Sequence, residues 1–137
     1  MKVTLDKDAV LPTRAHEADA GYDLYSREDA VIYPDDSYKF DTGVHMEIPR
    51  GYVGDVKSKS GLMMKYGIVT DGTVDSGYTG SIQVKLFNHG NTSVFIQKGQ
   101  KIAQVVIKAI ITPDLEVVDR LEATERGECG FGSTGKF

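Results

Sequence analysis

Short runs rich in β-branched and aromatic residues recur along this chain and constrain its fold more than any other feature. Nine such runs cover residues 3–5, 30–33, 38–40, 44–48, 51–57, 81–87, 93–96, 102–111 and 115–118. Clusters of proline, glycine, asparagine and aspartate, which favour tight turns, separate many of them. Regularly spaced short strands are typical of sandwiches and barrels. We therefore predict an all-β fold, a jelly-roll β-barrel.

One segment departs from the β pattern and predicts a single short helix. Ser60 offers a side chain that can cap a helix N-terminus, good helix formers follow it, and Gly67 is suited to end the helix. We expect Ser60 to be the N-cap.

The C-terminal twelve residues, RGECGFGSTGKF, have no apolar period on which to build a strand or helix. Arg126 offers a fork of donors suited to phosphate oxygens, and Phe131 offers a flat face for stacking on a base. A disordered chain end and an arm that closes over a ligand are both open interpretations. At 137 residues the chain is sized for one domain. We predict a β domain over residues 1–125 and a mobile arm over residues 126–137.

Composition excludes several classes of partner. The 16 basic and 20 acidic residues give a net charge of -4, and no basic stripe suits a nucleic acid polymer. Small phosphate ligands remain compatible, because one site needs only a few local cations and amides. The single Cys129 cannot form an internal disulfide, and no apolar segment is long enough to span a membrane. We expect a soluble, cytoplasmic protein.

Four polar clusters interrupt the β pattern, and each is ambiguous by itself. Asp23 lies where a turn enters a short strand, which fits either a solvated turn or a metal site. Ser60 follows two lysines, which fits either helix capping or a phosphate cradle. Asp75 lies in an expected glycine-rich hairpin over residues 71–80, as a turn former or as a base that orients water. Gln104 interrupts an apolar strand and needs partners from backbone or ligand.

Taken in order, these clusters resemble the motifs of the homotrimeric dUTP diphosphatase family. The segments AGYDL, KSGL, GTVDSGYTG with FNHG and GQKIAQVV, and RGECGFGSTG extend from Ala20 to Gly135, nearly the whole chain. The resemblance implies a jelly-roll protomer and a homotrimer whose three active sites are shared between subunits. It also implies hydrolysis of dUTP to dUMP and pyrophosphate with Mg²⁺.

The resemblance also implies roles for individual residues. Asp75 resembles the carboxylate that orients the attacking water toward the α-phosphorus, with Gln104 as its partner on that water. Tyr78 is similar to the aromatic residue that packs under the deoxyribose, and Asp23 to the carboxylate that holds magnesium through water. The remaining implied substrate contacts are with phosphate (Lys59, Ser60 and Gly61), with the uracil edge (Gly72, Thr73, Val74 and Gln83) and from the arm (Arg126, Phe131, Gly132, Ser133 and Thr134).

This chain departs from the family pattern at a few positions. Lysine stands at Lys59, where many members have arginine, so a point charge replaces a bidentate fork. Thr79 and Lys101 also replace common arginines, and Cys129 replaces a common glycine. Two rival functions stay open: a nucleotide enzyme related to dCTP deaminase, and a nucleotide-binding regulatory trimer that acts through protein partners.

Overall fold

The computed structural model describes residues 1–130 and residue 133, and this part of the chain consists of antiparallel strands with one short helix. The all-β fold predicted from the sequence is confirmed. The elements are β1 (Val3–Leu5), β2 (Gly21–Tyr25), β3 (Ala30–Ile32), β4 (Ser37–Asp41), β5 (Val44–Met46), β6 (Tyr52–Ser58), α1 (Ser60–Tyr66), β7 (Ile68–Val69), β8 (Asp71–Val74), β9 (Gln83–Asn88), β10 (Val94–Ile96) and β11 (Lys101–Ala109).

Two sheets and two ribbons make up the described fold. One sheet has the strand order β2-β11-β6-β8, and the other has the order β4-β9-β7. The strands β1 and β5 form one ribbon, and β3 and β10 form the second. All of these pairings are antiparallel. This order puts β11 and β6 in the middle of the larger sheet and β8 at its edge.

The core lies between these layers, and strand alternation fills it. In β9, Val84 and Leu86 are buried while Gln83 and Lys85 are exposed, as expected when successive side chains point to opposite faces. The buried amide of Asn88 is fully partnered, because it donates to the carbonyls of Ile32 and Thr92 at 2.9 Å each. The largest fully buried apolar side chains come from strands of both sheets, from the ribbon of β3 and β10 and from the loop before β9: Leu24, Ile32, Phe40, Ile68, Ile82, Leu86, Ile96 and Ile102.

The predicted helix is present, but its N-cap is not Ser60. Lys59 is the N-cap, with extended backbone and no side-chain capping bond, and Ser60 is the first helical residue. The reason is that β6 runs to Ser58, so the chain passes from strand to helix within one residue. Gly67 ends the helix as expected, in the left-handed conformation at φ 69°. A Cβ at position 67 would also lie 2.8 Å from the Gly90 backbone nitrogen. Both the left-handed backbone and this close approach therefore favour glycine.

The chain after β11 forms no helix or strand within the described residues up to 130. The strand predicted over residues 115–118 is therefore wrong for the single chain. Leu115 is 95% exposed and Val117 is 98% exposed. A strand needs a neighbour to satisfy its backbone, and no described strand of the same chain pairs with this segment.

Among the residues that the structure describes, no helix has the length and apolar character to cross a membrane.

Candidate functional site

The centre of the site is Asp23, a carboxylate held between two lysines. Asp23 lies in the middle of β2 and is only 4% exposed. One carboxylate oxygen accepts a hydrogen bond from Lys59 Nζ at 2.6 Å, and the other lies 2.6 Å from Lys101 Nζ. Lys59 leads from β6 into α1, and Lys101 begins β11. Three separate elements therefore meet at one carboxylate.

The two lysines decide the protonation of Asp23. Burial by itself would raise the pKa of Asp23, but the hydrogen bonds and charges of Lys101 and Lys59 outweigh burial and lower it below 3.8. The hydrogen bond that Lys101 donates to Asp23 raises the pKa of Lys101. Asp23 is therefore ionised and Lys101 protonated at neutral pH.

The position of Lys101 was not predicted from the sequence. Strict alternation would put Lys101 and Gln104 on opposite faces of β11, because they are three residues apart. The register between β11 and β2 shifts between Lys101 and Ala103, and this irregularity brings Lys101 to Asp23.

Gln104 lies beside the charged cluster in the same sheet. It is opposite Asp23 on β2 and opposite Lys57 on β6. Its Nε2 donates to the Ser58 carbonyl at 3.2 Å, so backbone provides the partner that a half-buried amide needs. Its Oε1 packs against Gly21, where any Cβ would overlap with it. Glycine at position 21 is therefore needed for this orientation of the carboxamide.

Asp75 and Tyr78 begin and end a tight turn between β8 and β9, the 75–78 turn. The Tyr78 N–H donates to the Asp75 carbonyl at 3.1 Å, and Gly77 has φ 89°, as in a type II turn. The Asp75 side chain is exposed, and the Tyr78 side chain is 45% exposed. Both functional groups thus face outward from the single chain.

The segment predicted as a hairpin over residues 71–80 is not one. Its first arm, β8, pairs with β6, whereas the following strand β9 pairs with β4 and β7 in the other sheet. The chain crosses between sheets at the 75–78 turn. The Tyr78 ring packs against Gly80, and a Cβ at position 80 would overlap with it. The Tyr78 hydroxyl donates to the Ser81 carbonyl at 3.0 Å.

The remaining predicted base contacts lie on β8 and at the start of β9. Gly72, Thr73 and Val74 belong to β8, and among the described strands of the larger sheet β8 pairs with β6 alone. Backbone groups on the outer side of β8 are accordingly available to a ligand. Gln83 is exposed at the first position of β9.

Within one protomer, Gln104 and Asp75 are far apart. Gln104 is level with Lys57 on β6, whereas Val74 is level with Gly54, and Asp75 is one residue further on. Four residues along the sheet and two strands across it correspond to a separation of roughly 16 Å. One water molecule cannot contact both side chains at that distance.

The described part of the predicted arm brings Arg126 and Ser133 together. Arg126 Nε donates to the Cys129 carbonyl at 2.9 Å, and the Ser133 N–H donates to the Gly130 carbonyl at 3.0 Å. Both residues line a cavity of about 510 Å³. Phe131, Gly132 and Thr134, which were also predicted to contact substrate, lie outside the described residues.

Comparison with known proteins gives one consistent family. The dUTPase family model matches residues 7–135. The deoxyuridine 5'-triphosphate nucleotidohydrolase of Clostridium tetani (strain Massachusetts / E88) is 44% identical over 135 residues, which are 96% of this chain and 93% of that protein. The corresponding protein of Gloeothece citriformis (strain PCC 7424) is 45% identical over 139 residues, with 98% and 96% covered.

Solved structures agree with the sequence comparison. The Staphylococcus bacteriophage 80alpha dUTPase with dUPNHPP matches at a TM-score of 0.93 and 36% identity, with 98% of each chain covered. A mutant dUTPase from phage phi11 of S. aureus, described as revealing the coordination of a structural Mg(II) ion, matches at a TM-score of 0.83 and 31% identity. It covers 89% of this chain and 98% of its own. The predicted jelly-roll fold is confirmed.

The lysine pair of Asp23 gives a prediction for acid stability. Because the pKa of Asp23 is lowered on folding, its carboxylate stabilises the fold above pH 3.8. That contribution is lost as the pH falls from 3.8 through the folded-state pKa. Asp23→Asn should lower the free energy of unfolding at pH 7 by about 1–3 kcal/mol, because both lysines lose their carboxylate. It should also flatten the loss of stability below pH 4.

Urea unfolding followed by tyrosine fluorescence at several pH values measures this effect. The matched control is Glu47→Gln, since Glu47 pairs with Lys2 at 3.1 Å but both side chains are mostly exposed. That control should change stability little. Equal acid sensitivity in the Asp23→Asn variant and the parent protein would contradict the assignment.

Proposed function

The chain belongs to the dUTPase family and is a dUTP diphosphatase, and we propose that its active site is built from more than one copy of the chain in a homotrimer. The main observation behind this proposal is that, from the sheet register, the Cα atoms of Gln104 and Asp75 lie roughly 16 Å apart within one protomer. Two groups that act on one water must come within hydrogen-bond reach of it. A second copy that brings its 75–78 turn to the Gln104 of the first satisfies this requirement.

One protomer contributes the phosphate end of the proposed site. Lys59, Ser60 and Gly61 contact phosphate oxygens, with Lys101 as a second cation. The triphosphate competes with Asp23 for these lysines, because it carries more negative charge than one carboxylate. The short contacts of Asp23 with both lysines hold the cations in place until substrate arrives.

A neighbouring protomer contributes the nucleoside end. Tyr78 packs under the deoxyribose and excludes a 2′-hydroxyl by contact. Backbone groups of Gly72, Thr73 and Val74 bind the uracil edge, with Gln83 beyond them, and the free outer side of β8 supports this assignment.

The C-terminal segment is proposed to reach another copy of the chain. The exposure of Leu115 and Val117 supports this, because alternating apolar side chains gain stability by packing against a partner surface. Such a path would carry residues 126–137, which we propose to act as a mobile arm, to a neighbouring site. There the arm closes over substrate through Arg126 and Ser133, with three further contacts proposed for Phe131, Gly132 and Thr134.

The donor set fits a magnesium ion that is held mainly by substrate and water. The described residues contain no cluster of three or more histidine, cysteine or acidic side chains able to hold a metal by themselves. Mg²⁺ characteristically keeps several waters and binds substrate phosphates, with one or two carboxylates in support. Asp23 is the carboxylate proposed to hold it through water, once Lys59 moves to phosphate. When bound, the ion neutralises charge on the triphosphate.

The proposed reaction is a direct displacement at the α-phosphorus. Asp75 orients a water and takes its proton as the water oxygen bonds to phosphorus, while Gln104 holds the same water. The bond from the α-phosphorus to its bridging oxygen breaks, which gives dUMP and pyrophosphate. Lys59 and Lys101 stabilise the charge on the departing group.

Cellular location is a separate proposal, and the two rival functions predict products other than those of dUTP hydrolysis. We propose a cytoplasmic protein, which a single unpaired cysteine supports. A relationship to dCTP deaminase would give deamination of dCTP, and a purely regulatory nucleotide-binding trimer would bind dUTP without pyrophosphate release. A pyrophosphate assay across dUTP, dCTP, dTTP and UTP separates dUTP hydrolysis from both alternatives, and an ammonia assay with dCTP separates the two alternatives from each other.

Asp75 should be essential for turnover. Asp75→Asn should reduce kcat for dUTP by about 10²-fold or more at unchanged nucleotide affinity, because the amide cannot accept the proton of water. Pyrophosphate release and equilibrium binding of a non-hydrolysable analogue measure the two quantities. The matched control is Asp71→Asn, a nearby exposed carboxylate that pairs with Lys57 and should keep most activity. Parent-level hydrolysis by the Asp75 variant would show that Asp75 only forms a turn.

Gly21 should matter through Gln104. A methyl group at position 21 displaces the carboxamide that packs there, so Gly21→Ala should lower kcat for dUTP roughly tenfold. Gln104→Ala should have a comparable effect, and the double variant should lose no more than the worse single variant. Additive losses in the double variant would mean that Gly21 and Gln104 act independently.

A further inference from the structure

His45 lies between the 75–78 turn and a charged cluster on the opposite side. It is the middle residue of β5 and pairs across the ribbon with Thr4 of β1. Its Nδ1 is 2.8 Å from the carbonyl oxygen of Thr79, the residue directly after Tyr78. Its Nε2 is 3.2 Å from a carboxylate oxygen of Asp6, and the side chain is 27% exposed. The imidazole thus bridges the end of the turn and the chain after β1.

Both ring nitrogens of His45 face acceptors. A backbone carbonyl and a carboxylate oxygen each need a donated hydrogen, and a neutral imidazole carries only one N–H. Only the imidazolium makes both contacts favourable. In the neutral form, one nitrogen would present a lone pair to an oxygen.

The surrounding charges favour the same form. Asp6 and Asp41 are the nearby carboxylates. Arg27 Nη1 lies between them, 3.5 Å from an Asp6 oxygen and 3.8 Å from an Asp41 oxygen. A separate pair, Lys2 with Glu47, lines the same shallow groove of about 310 Å³ as His45. The hydrogen bond to the Thr79 carbonyl, together with the hydrogen bond to Asp6 and the negative charge of Asp6, outweighs the effect of partial burial. These contacts raise the pKa of His45 above 6.5.

The loop after the turn is anchored by different means at its two ends. Toward β9, the Ile82 N–H donates to the Val44 carbonyl at 2.8 Å, and the Ser81 hydroxyl donates to Asp41. At Thr79, next to Tyr78, the described contact from β5 is the His45 ring. The end of the loop that carries Tyr78 is therefore tied to the protein through a titratable group.

We propose that His45 is a positioning residue whose imidazolium form holds Thr79, and with it the 75–78 turn, in the orientation that binds deoxynucleoside triphosphate. The proposal rests on the roles proposed above for Asp75 and Tyr78. Deprotonation removes one of two hydrogen bonds and loosens the turn. Because bound nucleotide adds its own contacts to the turn, the loss falls mainly on KM and less on kcat.

The sign of the pH dependence follows from the raised pKa. Both hydrogen bonds of the His45 ring are present below pH 6.5, and one of them is lost as the pH rises through the folded-state pKa of His45. The contacts of His45 are partly exposed to solvent, so losing one of them should cost about as much as a typical net hydrogen bond, which corresponds to a rise of about threefold to tenfold in KM for dUTP.

Steady-state kinetics of the full-length protein between pH 6 and 9 tests the proposal. The side-chain amide of asparagine can donate to the Thr79 carbonyl but does not titrate, so His45→Asn should show a KM without the histidine-linked rise. His45→Ala should show the high KM throughout. His16→Asn, at an exposed loop position outside the proposed site, should keep the parent profile. Substrate ionisation is common to all four proteins, so a rise in KM that persists unchanged in His45→Asn would overturn the proposal.

A measurement on the parent protein avoids any folding defect of the variants. In an NMR titration, the backbone amide resonances of residues 76–80 should shift with the same midpoint as the His45 imidazole, and that midpoint should exceed 6.5. Amide shifts that do not follow His45 would overturn the proposal. Full activity of Asp75→Asn would instead overturn the proposed site, while coupling between His45 and Thr79 would be measured independently of it.

Discussion

The pairing of β11 with β2 on one side and β6 on the other determines where the candidate site residues lie. This pairing sets Gln104 level with Asp23 and with Lys57. The next strand, β8, is paired to the far side of β6 and carries the chain away from that level before the turn. The antiparallel geometry that brings the proposed phosphate-binding residues together in one protomer therefore keeps that protomer's own Asp75 at a distance. If Gln104 and Asp75 act on one water, as we propose, a complete site needs residues from more than one copy of the chain.

Charge is concentrated around Asp23, where we propose that phosphate binds. The protein as a whole has a net charge of -4, yet two lysines converge on the almost buried Asp23. The carboxylate stabilises both cations and limits their movement, and in the proposed site this reduces the ordering that a triphosphate must impose. The same contacts also link β2, β11 and the start of α1, so the stability of the fold and the proposed ligand binding depend on one cluster.

The sequence predicted the parts of this molecule that depend on local pattern. The β-rich runs, the helix that ends at Gly67 and the order of the motifs all depend on residues close together in the chain. The contact of Lys101 with Asp23 could not be predicted, because it depends on a register irregularity within β11. The supposed hairpin was wrong because its arms join different sheets, and local turn chemistry carries no information about strand partners. Residues 115–118 have strand-like composition, but no described strand of the same chain pairs with them.

The most direct test of a shared site is complementation between two variants with impaired turnover. Asp75→Asn and Gln104→Ala subunits, carrying different tags, would be coexpressed, and mixed trimers would be purified and assayed for pyrophosphate release from dUTP. Every trimer that holds both kinds of subunit has one site of three that takes Gln104 from an Asp75→Asn subunit and Asp75 from a Gln104→Ala subunit, so the mixed trimers should regain about a third of the parent activity. Activity no higher than the average of the two separate variants would contradict the shared site.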